Sequence, residues 1–204
     1  MSYLSGAVYK LIAEQSYIGY MQTPWITNVV DLTNIIWGAD TGCFTNPDKY
    51  DEEEYLAWLR DRLYALNRCL FATAPDIVGD PKATLERSLP VLPLIRDLGF
   101  PAALVGQDGL ESLKIPWDSF DCLFIGGTTE WKLSEGAYSL AREAKDRGKW
   151  IHMGRVNSWR RIKAAAISGY DSVDGTYLVF GPDRNFKRLT RWMSDLRSQS
   201  YFIF

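Results

Sequence analysis

The sequence predicts an α/β protein, a small or incomplete (β/α)8 barrel with parallel strands inside and helices outside. Three observations lead there. Short apolar runs alternate with helix-forming segments at least five times along the 204 residues. Each run is continuously apolar, as in strands covered on both faces, rather than alternating as in a half-exposed sheet. The runs also end alike, in Asp, Gln or Gly, and the carboxyl ends of the strands are where an α/β barrel gathers its chemistry. A doubly wound open sheet is the alternative. No G-x-G-x-x-G follows the first strand, which weakens the dinucleotide-binding version of it. With 47% hydrophobic residues, the chain suits one domain over residues 1–204.

The elements follow in order. Residues 1–33 form the least regular part; Ala7 to Ile12 and Tyr17 to Met21 each read as a strand, with Pro24 closing the second. Ile35 to Ala39 is an apolar run ending at Asp40-Thr41-Gly42-Cys43-Phe44. The acidic segment Asp51 to Glu54 opens a helix through Tyr64, its charge set against the positive end of the helix dipole. Cys69 to Ala74 is the next strand, running into Pro75-Asp76. Asp80 and Pro81 make an N-cap and first-turn pair, and Pro90 and Pro93 kink or split the helix that follows.

Pro101 to Val105 precedes Gly106-Gln107, and Cys122 to Ile125 precedes Gly126-Gly127. Ser134 caps a helix through Asp146, and Gly148 stops it. Trp150 to Met153 is a strand ending at Gly154, Ser158 caps the helix Trp159 to Ile167, and Gly169 closes it. The next strand ends at Asp174-Gly175. Thr176 to Phe180 is expected to be extended, and Asp183 to cap a last amphipathic helix through Leu196.

Net charge is −2, but it is unevenly spread. From Arg142 onward there are 13 Lys and Arg against 6 Asp and Glu; the preceding part holds 10 against 19. Such asymmetry marks either a basic face for phosphates or two solvated helix faces. The three cysteines are far apart and form no C-x-x-C pair, which argues against a disulfide framework or a structural zinc site and for a reducing compartment. No leader segment and no apolar run of membrane-spanning length is present, so a cytoplasmic protein without membrane partners is expected.

The strand-end residues are Asp40, Asp76, Gln107, Gly126-Gly127, Met153-Gly154 and Asp174. In a barrel they converge on one mouth. Carboxylates and an amide can read the edge of a purine, and glycines let backbone approach a flat ligand. A carboxylate can attack a sugar carbon, and two carboxylates can divide acid and nucleophile roles when their environments differ. Taken singly, Asp40 and Asp76 also suit loop Asx-turns, Gln107 a loop hydrogen bond, and Gly126-Gly127 a turn. Asp80 and Asp171 read as structural. His152, the single histidine, reads as a satisfied core residue, which disfavours metal-hydrolase barrels and Ser-His or Cys-His triads.

The ordered set Asp-Thr-Gly-Cys-Phe, Pro-Asp-Ile-Val-Gly-Asp, Gly-Gln-Asp-Gly, Ile-Gly-Gly-Thr, His-Met-Gly-Arg-Val and Val-Asp-Gly-Thr resembles the tRNA-guanine transglycosylase superfamily over about Ile35 to Thr176. It looks most like the small DpdA-like members, which put 7-deazaguanine bases into DNA in phage and bacterial modification systems. The resemblance implies that Asp174 is the nucleophile at C1′ and forms a covalent enzyme–nucleotide intermediate. It makes Asp40 the acid/base carboxylate and Asp76 the reader of the base's amidine-like edge. Gln107 and the backbone at Gly127 bind the base carbonyl, Gly126 is a further substrate-binding position, and Phe44 and Met153 sandwich the ring. Arg155, Arg160, Arg161 and Lys163, which follow the site directly, are positioned to hold phosphates.

No cofactor and no metal is implied. The target base must leave its stack to be reached. The family's Cys-rich zinc segment has no counterpart after Asp174, and Val105-Gly106 stands where a Gln would precede Gln107. The expectation is therefore DNA rather than tRNA as substrate, with a homodimer or a partner protein supplying what the short chain lacks. The same exchange on tRNA, hydrolytic release of guanine, and a barrel that binds a purine or nucleic acid without catalysis are the alternatives.

Overall fold

The structure is a computed structural model and describes residues 1–6, 15–25 and 30–199. Eight parallel strands close a barrel in sequence order: β1 Ser2–Ser5, β2 Ile18–Gln22, β3 Trp37–Ala39, β4 Cys69–Thr73, β5 Ala102–Gly106, β6 Cys122–Ile125, β7 Trp150–Met153 and β8 Ser172–Gly175. The expected barrel is complete rather than partial. Its closing strand is the serine-flanked Tyr3-Leu4, which pairs with both β2 and β8 and sets Leu4 beside Asp174. The expected strand Ala7 to Ile12 lies outside the described residues.

Strand residues alternate between two apolar layers. Leu4, Met21, Phe71, Ala103, Val105, Cys122 and Phe124 fill the barrel's inside. The larger cluster lies between barrel and helices and includes Trp37, Leu104, Leu123, Ile151, Met153 and Val173. Gly38 makes the inner layer possible: a Cβ there would come within 3.0–3.2 Å of Leu4, Phe71 and Met21.

The outer helices are α1 Glu52–Arg60, α2 Pro81–Ser88, α3 Val91–Asp97, α4 Thr129–Lys132, α5 Glu135–Asp146, α6 Trp159–Ile167 and α7 Pro182–Gln199. Asp51, Asp80, Ser134 and Ser158 each accept a first-turn amide, as capping chemistry predicts. Pro90 separates α2 from α3, and Pro93 falls in the first turn of α3, where its missing N–H costs nothing.

Three expectations need correction. The helix from Asp51 ends at Arg60, and a 3-10 segment kinked at Ala65 replaces its last turn. Thr176 to Phe180 is a turn closed by Val179 N–H donating to the Thr176 carbonyl (2.9 Å), not an extended segment. Finally, α7 begins at Pro182, so Asp183 sits in its first turn, where it complements the dipole rather than capping. Among the described residues no helix is long and apolar enough to cross a membrane.

Candidate active site

At the carboxyl end of the barrel a cavity of about 350 Å³ is lined by Asp40, Asp76 and Asp174, together with Gln107, Gly126, Phe44 and Arg155. Met21, Val105, Phe124 and Trp25 supply apolar wall. Few polar groups on an apolar wall are the usual make-up of a small-molecule site.

Asp40 follows β3 and turns at once: its Oδ1 accepts the Gly42 N–H (2.6 Å), and Gly42 holds the left-handed φ of 76° that the turn needs. It therefore makes the Asx-turn and also faces the cavity. Burial pushes the Asp40 carboxyl up to about 7; the Gly42 amide opposes this, and the neighbouring Asp76 and Asp174 charges add to it.

Asp76 sits beyond β4, 9% exposed. Burial raises its pKa, with Arg87, Gln107 and Arg155 opposing. Gln107 holds it in place: Nε2 donates to Asp76 Oδ2 (2.7 Å), while Oε1 accepts the Gly79 N–H (3.1 Å). Much of the hydrogen-bonding capacity of Gln107 is thus spent on orienting Asp76.

Asp174 lies on β8, its side chain 17% exposed. Oδ1 faces His152 Nε2 (3.0 Å) and accepts the Arg155 N–H (3.1 Å). That amide is aimed by an unusual backbone: Arg155 has φ of 58°, the one left-handed non-glycine among the described residues. Its guanidinium reaches across the mouth, donating to the carbonyls of Gly126 (2.6 Å) and Gly127 (2.5 Å), and lies 4.4 Å over the Phe44 ring. Phe44, 55% exposed, forms the rim.

The remaining candidates are placed otherwise. Met153 points outward into the layer under the helices, because the two-residue alternation of β7 sends His152 inward. Phe124, not Met153, is the large side chain beside the carboxylates. The N–H of Gly127, assigned above to a base carbonyl, donates instead to the Gly106 carbonyl (3.2 Å), and Gly127 does not line the cavity. Gly126 lines it, but its N–H is likewise taken by Gly106. Arg160 and Lys163 are exposed on α6, and Arg161 is half-buried, donating to the Arg155 carbonyl (3.3 Å).

Two groups escaped the sequence analysis. His152 was read as core, and it is fully buried, yet it touches Asp174. Lys132 was not singled out. It is 2% exposed and donates from Nζ to the Gly154 carbonyl (2.7 Å), bracing the turn that carries Arg155. Inward parity with Asp174 was the available signal for His152; nothing in the sequence marks Lys132. Among the described residues no group of three or more His, Cys, Asp or Glu is placed to hold a metal ion.

No family model and no curated protein matches this chain. Solved structures with a similar fold include the following two. The Bacillus subtilis YkuI protein, which has an EAL domain and was solved with its substrate c-di-GMP and calcium, gives a TM-score of 0.46 at 16% identity over 84% of this chain. This chain covers 46% of that protein's length. A mutant tryptophan synthase alpha-subunit from Pyrococcus furiosus gives 0.47 at 18% identity, covering 80% of this chain and 67% of that one. Both are alike in fold alone.

Proposed function

We propose that this chain is a base-exchange transglycosylase that replaces guanine in DNA with a 7-deazaguanine derivative. One observation carries the proposal: three carboxylates from separate strand ends, Asp40, Asp76 and Asp174, line one base-sized cavity, and one of them is poised near neutrality. The free cysteines fit the reducing cytoplasm of a bacterium or an infected host.

The chemistry is a double displacement. An oxygen of Asp174 attacks C1′ while the bond from C1′ to the guanine nitrogen breaks, and its electron pair leaves on the base. Asp40, protonated up to about pH 7, gives its proton to that nitrogen. The product is an ester between Asp174 and the sugar. The incoming 7-deazaguanine then loses its proton to Asp40 and attacks C1′, and Asp174 departs. Two inversions retain configuration. Asp76, oriented by Gln107, accepts from the base's N–H edge, and its desolvated setting favours a hydrogen-bonded partner over water. Phe124 and Phe44 offer flat apolar surface to the ring.

The test is incorporation of labelled guanine and of labelled 7-deazaguanines into duplex DNA and into bulk tRNA by the purified protein. Label in DNA, lost in Asp174→Asn, is expected. Label in tRNA alone overturns the substrate; release of guanine without incorporation makes the protein a hydrolase; no covalent adduct and no release leaves a binding barrel.

A further inference from the structure

Helix α7 carries five Lys and Arg against Asp183 and Asp195. Four of the five, Arg184, Lys187, Arg188 and Arg191, are spaced three, one and three residues apart, which places them on one helix face. All four are exposed, whereas Phe186, Leu189 and Met193 on the other side are buried. No salt bridge among the described residues involves any of the four.

The height of this stripe follows from contacts further along the helix. Trp192 stacks on Trp159, the first residue of α6 (6.0 Å between ring centroids), and packs at a tilt against Tyr177, two residues beyond β8 (5.0 Å). Trp192 is therefore level with the cavity mouth. From there α7 descends until Arg197 lies over the ring of Tyr17, just before β2, at the opposite end of the barrel. The residues before Trp192 accordingly continue the other way, about 15 Å of helix towards the mouth end, with Phe186 and Leu189 buried in the layer between helix and barrel and the basic face turned to solvent. The loop at its head shows Phe180 (71% exposed) and Val179 (45%) to solvent. That loop starts at Thr176, and Thr176 lines the cavity. On the neighbouring side Arg155 leads from the cavity wall through Arg161 to exposed Arg160 and Lys163. The facing sector is acidic, with Asp48, Asp51, Glu52 and Glu53 exposed around the start of α1.

We propose that the stripe Arg184, Lys187, Arg188 and Arg191, on the mouth-side turns of α7, is a track for the phosphate backbone of a single nucleic-acid strand, continued by Arg160 and Lys163 and leading to the cavity, with Phe180 stacking an unpaired base. Regularly spaced cations beside an exposed aromatic ring fit such a strand. The acidic opposite sector repels it and so fixes the side of approach. That the strand delivers its base to the cavity rests on the proposed function; the track itself does not.

Anisotropy of a labelled oligothymidylate tests it, because that strand holds no guanine and reads the track alone. The variant R184E/K187E/R188E is compared with R60E/R68E/K114E, which makes the same charge change at exposed sites elsewhere, both checked for unchanged melting. Expected is at least tenfold weaker binding for the first, with a salt dependence shallower by about two in log–log slope, little change for the second, and a loss of roughly fivefold or more in Phe180→Ala. Equal weakening by both triple variants, or none by the first, overturns the track. So does a wild type that ignores oligothymidylate but binds anionic phospholipid vesicles through the same residues. Absence of base exchange in a protein that binds the strand this way sinks the proposed function and leaves the track standing.

Discussion

His152 Nε2 lies 3.0 Å from Asp174 Oδ1, at the far end of a chain that starts on Trp150. Trp150 Nε1 donates to Ser172 Oγ (2.8 Å), and Ser172 Oγ is 2.8 Å from His152 Nδ1. The Asp174 carboxylate can only accept, so the ring proton is on Nε2. Nδ1 then accepts the Ser172 hydroxyl proton, while a lone pair of the same oxygen takes the tryptophan N–H. Burial lowers the His152 pKa against the pull of Asp174, which keeps the imidazole neutral at pH 7. His152 never meets substrate in this arrangement; it holds one carboxylate oxygen still so that the other can attack.

It follows that His152→Ala lowers the rate of base exchange roughly 10²-fold through kcat, with KM for the base little changed. Stability falls by about 2–4 kcal/mol, from the cavity against Phe71 and Phe124 and the orphaned serine. His152→Gln, which keeps a donor, restores part of both. Steady-state kinetics beside urea melts check this, and an unchanged kcat in His152→Ala removes the positioning role.

Asp40 makes the protein's stability depend on pH in a definite sense. Its folded pKa of about 7 stands above the ordinary 3.8, so between those values the folded chain holds a proton the unfolded chain has lost. The stability this proton confers is complete below about pH 4 and is lost as pH rises through 7. Asp40→Asn is therefore more stable than wild type at pH 8 and not at pH 4. The site opens to water, so the gain is about 1–2 kcal/mol rather than the roughly 4 kcal/mol of a sealed site. The alkaline limb of base exchange near pH 7 should disappear in the same variant, at a much lower rate. Melts at pH 4, 6 and 8 with a rate profile decide it; equal stability gaps at all three pH values contradict the burial of Asp40.

The barrel was legible because two signals agreed. Buried strands read as unbroken apolar runs, and Asp51, Asp80, Ser134 and Ser158 announced the helices between them. The closing strand was not legible: Tyr3-Leu4 is short, and its pairing depends on β2 and β8, which local sequence does not reveal. At the site, the strand-end acids were visible because barrel topology converts six separate positions into one mouth. Met153 was misplaced because a strand end does not declare its facing. Only the register, with His152 beside Ser172 and Met153 beside Val173, settles which residue turns inward. Lys132 was invisible because an isolated lysine on a short helix reads as solvent-exposed.

The backbone of Arg155 stores strain that can be measured. A side chain at φ of 58° costs about 1 kcal/mol relative to glycine. Arg155→Ala keeps that strain and loses both the guanidinium bridge to Gly126 and Gly127 and the contact over Phe44. Arg155→Gly loses the same contacts but relaxes. Thermal melts should rank Arg155→Gly above Arg155→Ala by about 0.5–1.5 kcal/mol, the reverse of the order at an ordinary loop position. Exchange should fall in both, because the amide that binds Asp174 is no longer fixed. The ordinary order, alanine above glycine, contradicts a strained turn.

Lys132 offers a test at the opposite end of the pH scale. Burial, helped by the charges of Arg155 and Arg161 and opposed by Asp174 and Asp108, lowers its pKa from 10.5 to about 8. Between pH 8 and 10.5 the folded chain has released a proton that the unfolded chain still holds, so this group makes stability rise with pH across that window. Below pH 8 its full cost, about 3 kcal/mol, is present. Lys132→Met removes the buried charge but leaves the Gly154 carbonyl without its donor (2.7 Å), which returns about 1–2 kcal/mol of the gain. The variant should be about 1–2 kcal/mol more stable at pH 7. Tyrosines titrate in the same range, so the quantity to follow is the difference between the two proteins in urea melts from pH 7 to 10.5. That difference should shrink steadily as pH rises. Exchange should slow nonetheless, because Gly154 precedes the residue whose amide holds Asp174. A stability gap that stays constant over the window means that Lys132 keeps its proton and that the carbonyl and carboxylates around it compensate its burial in full.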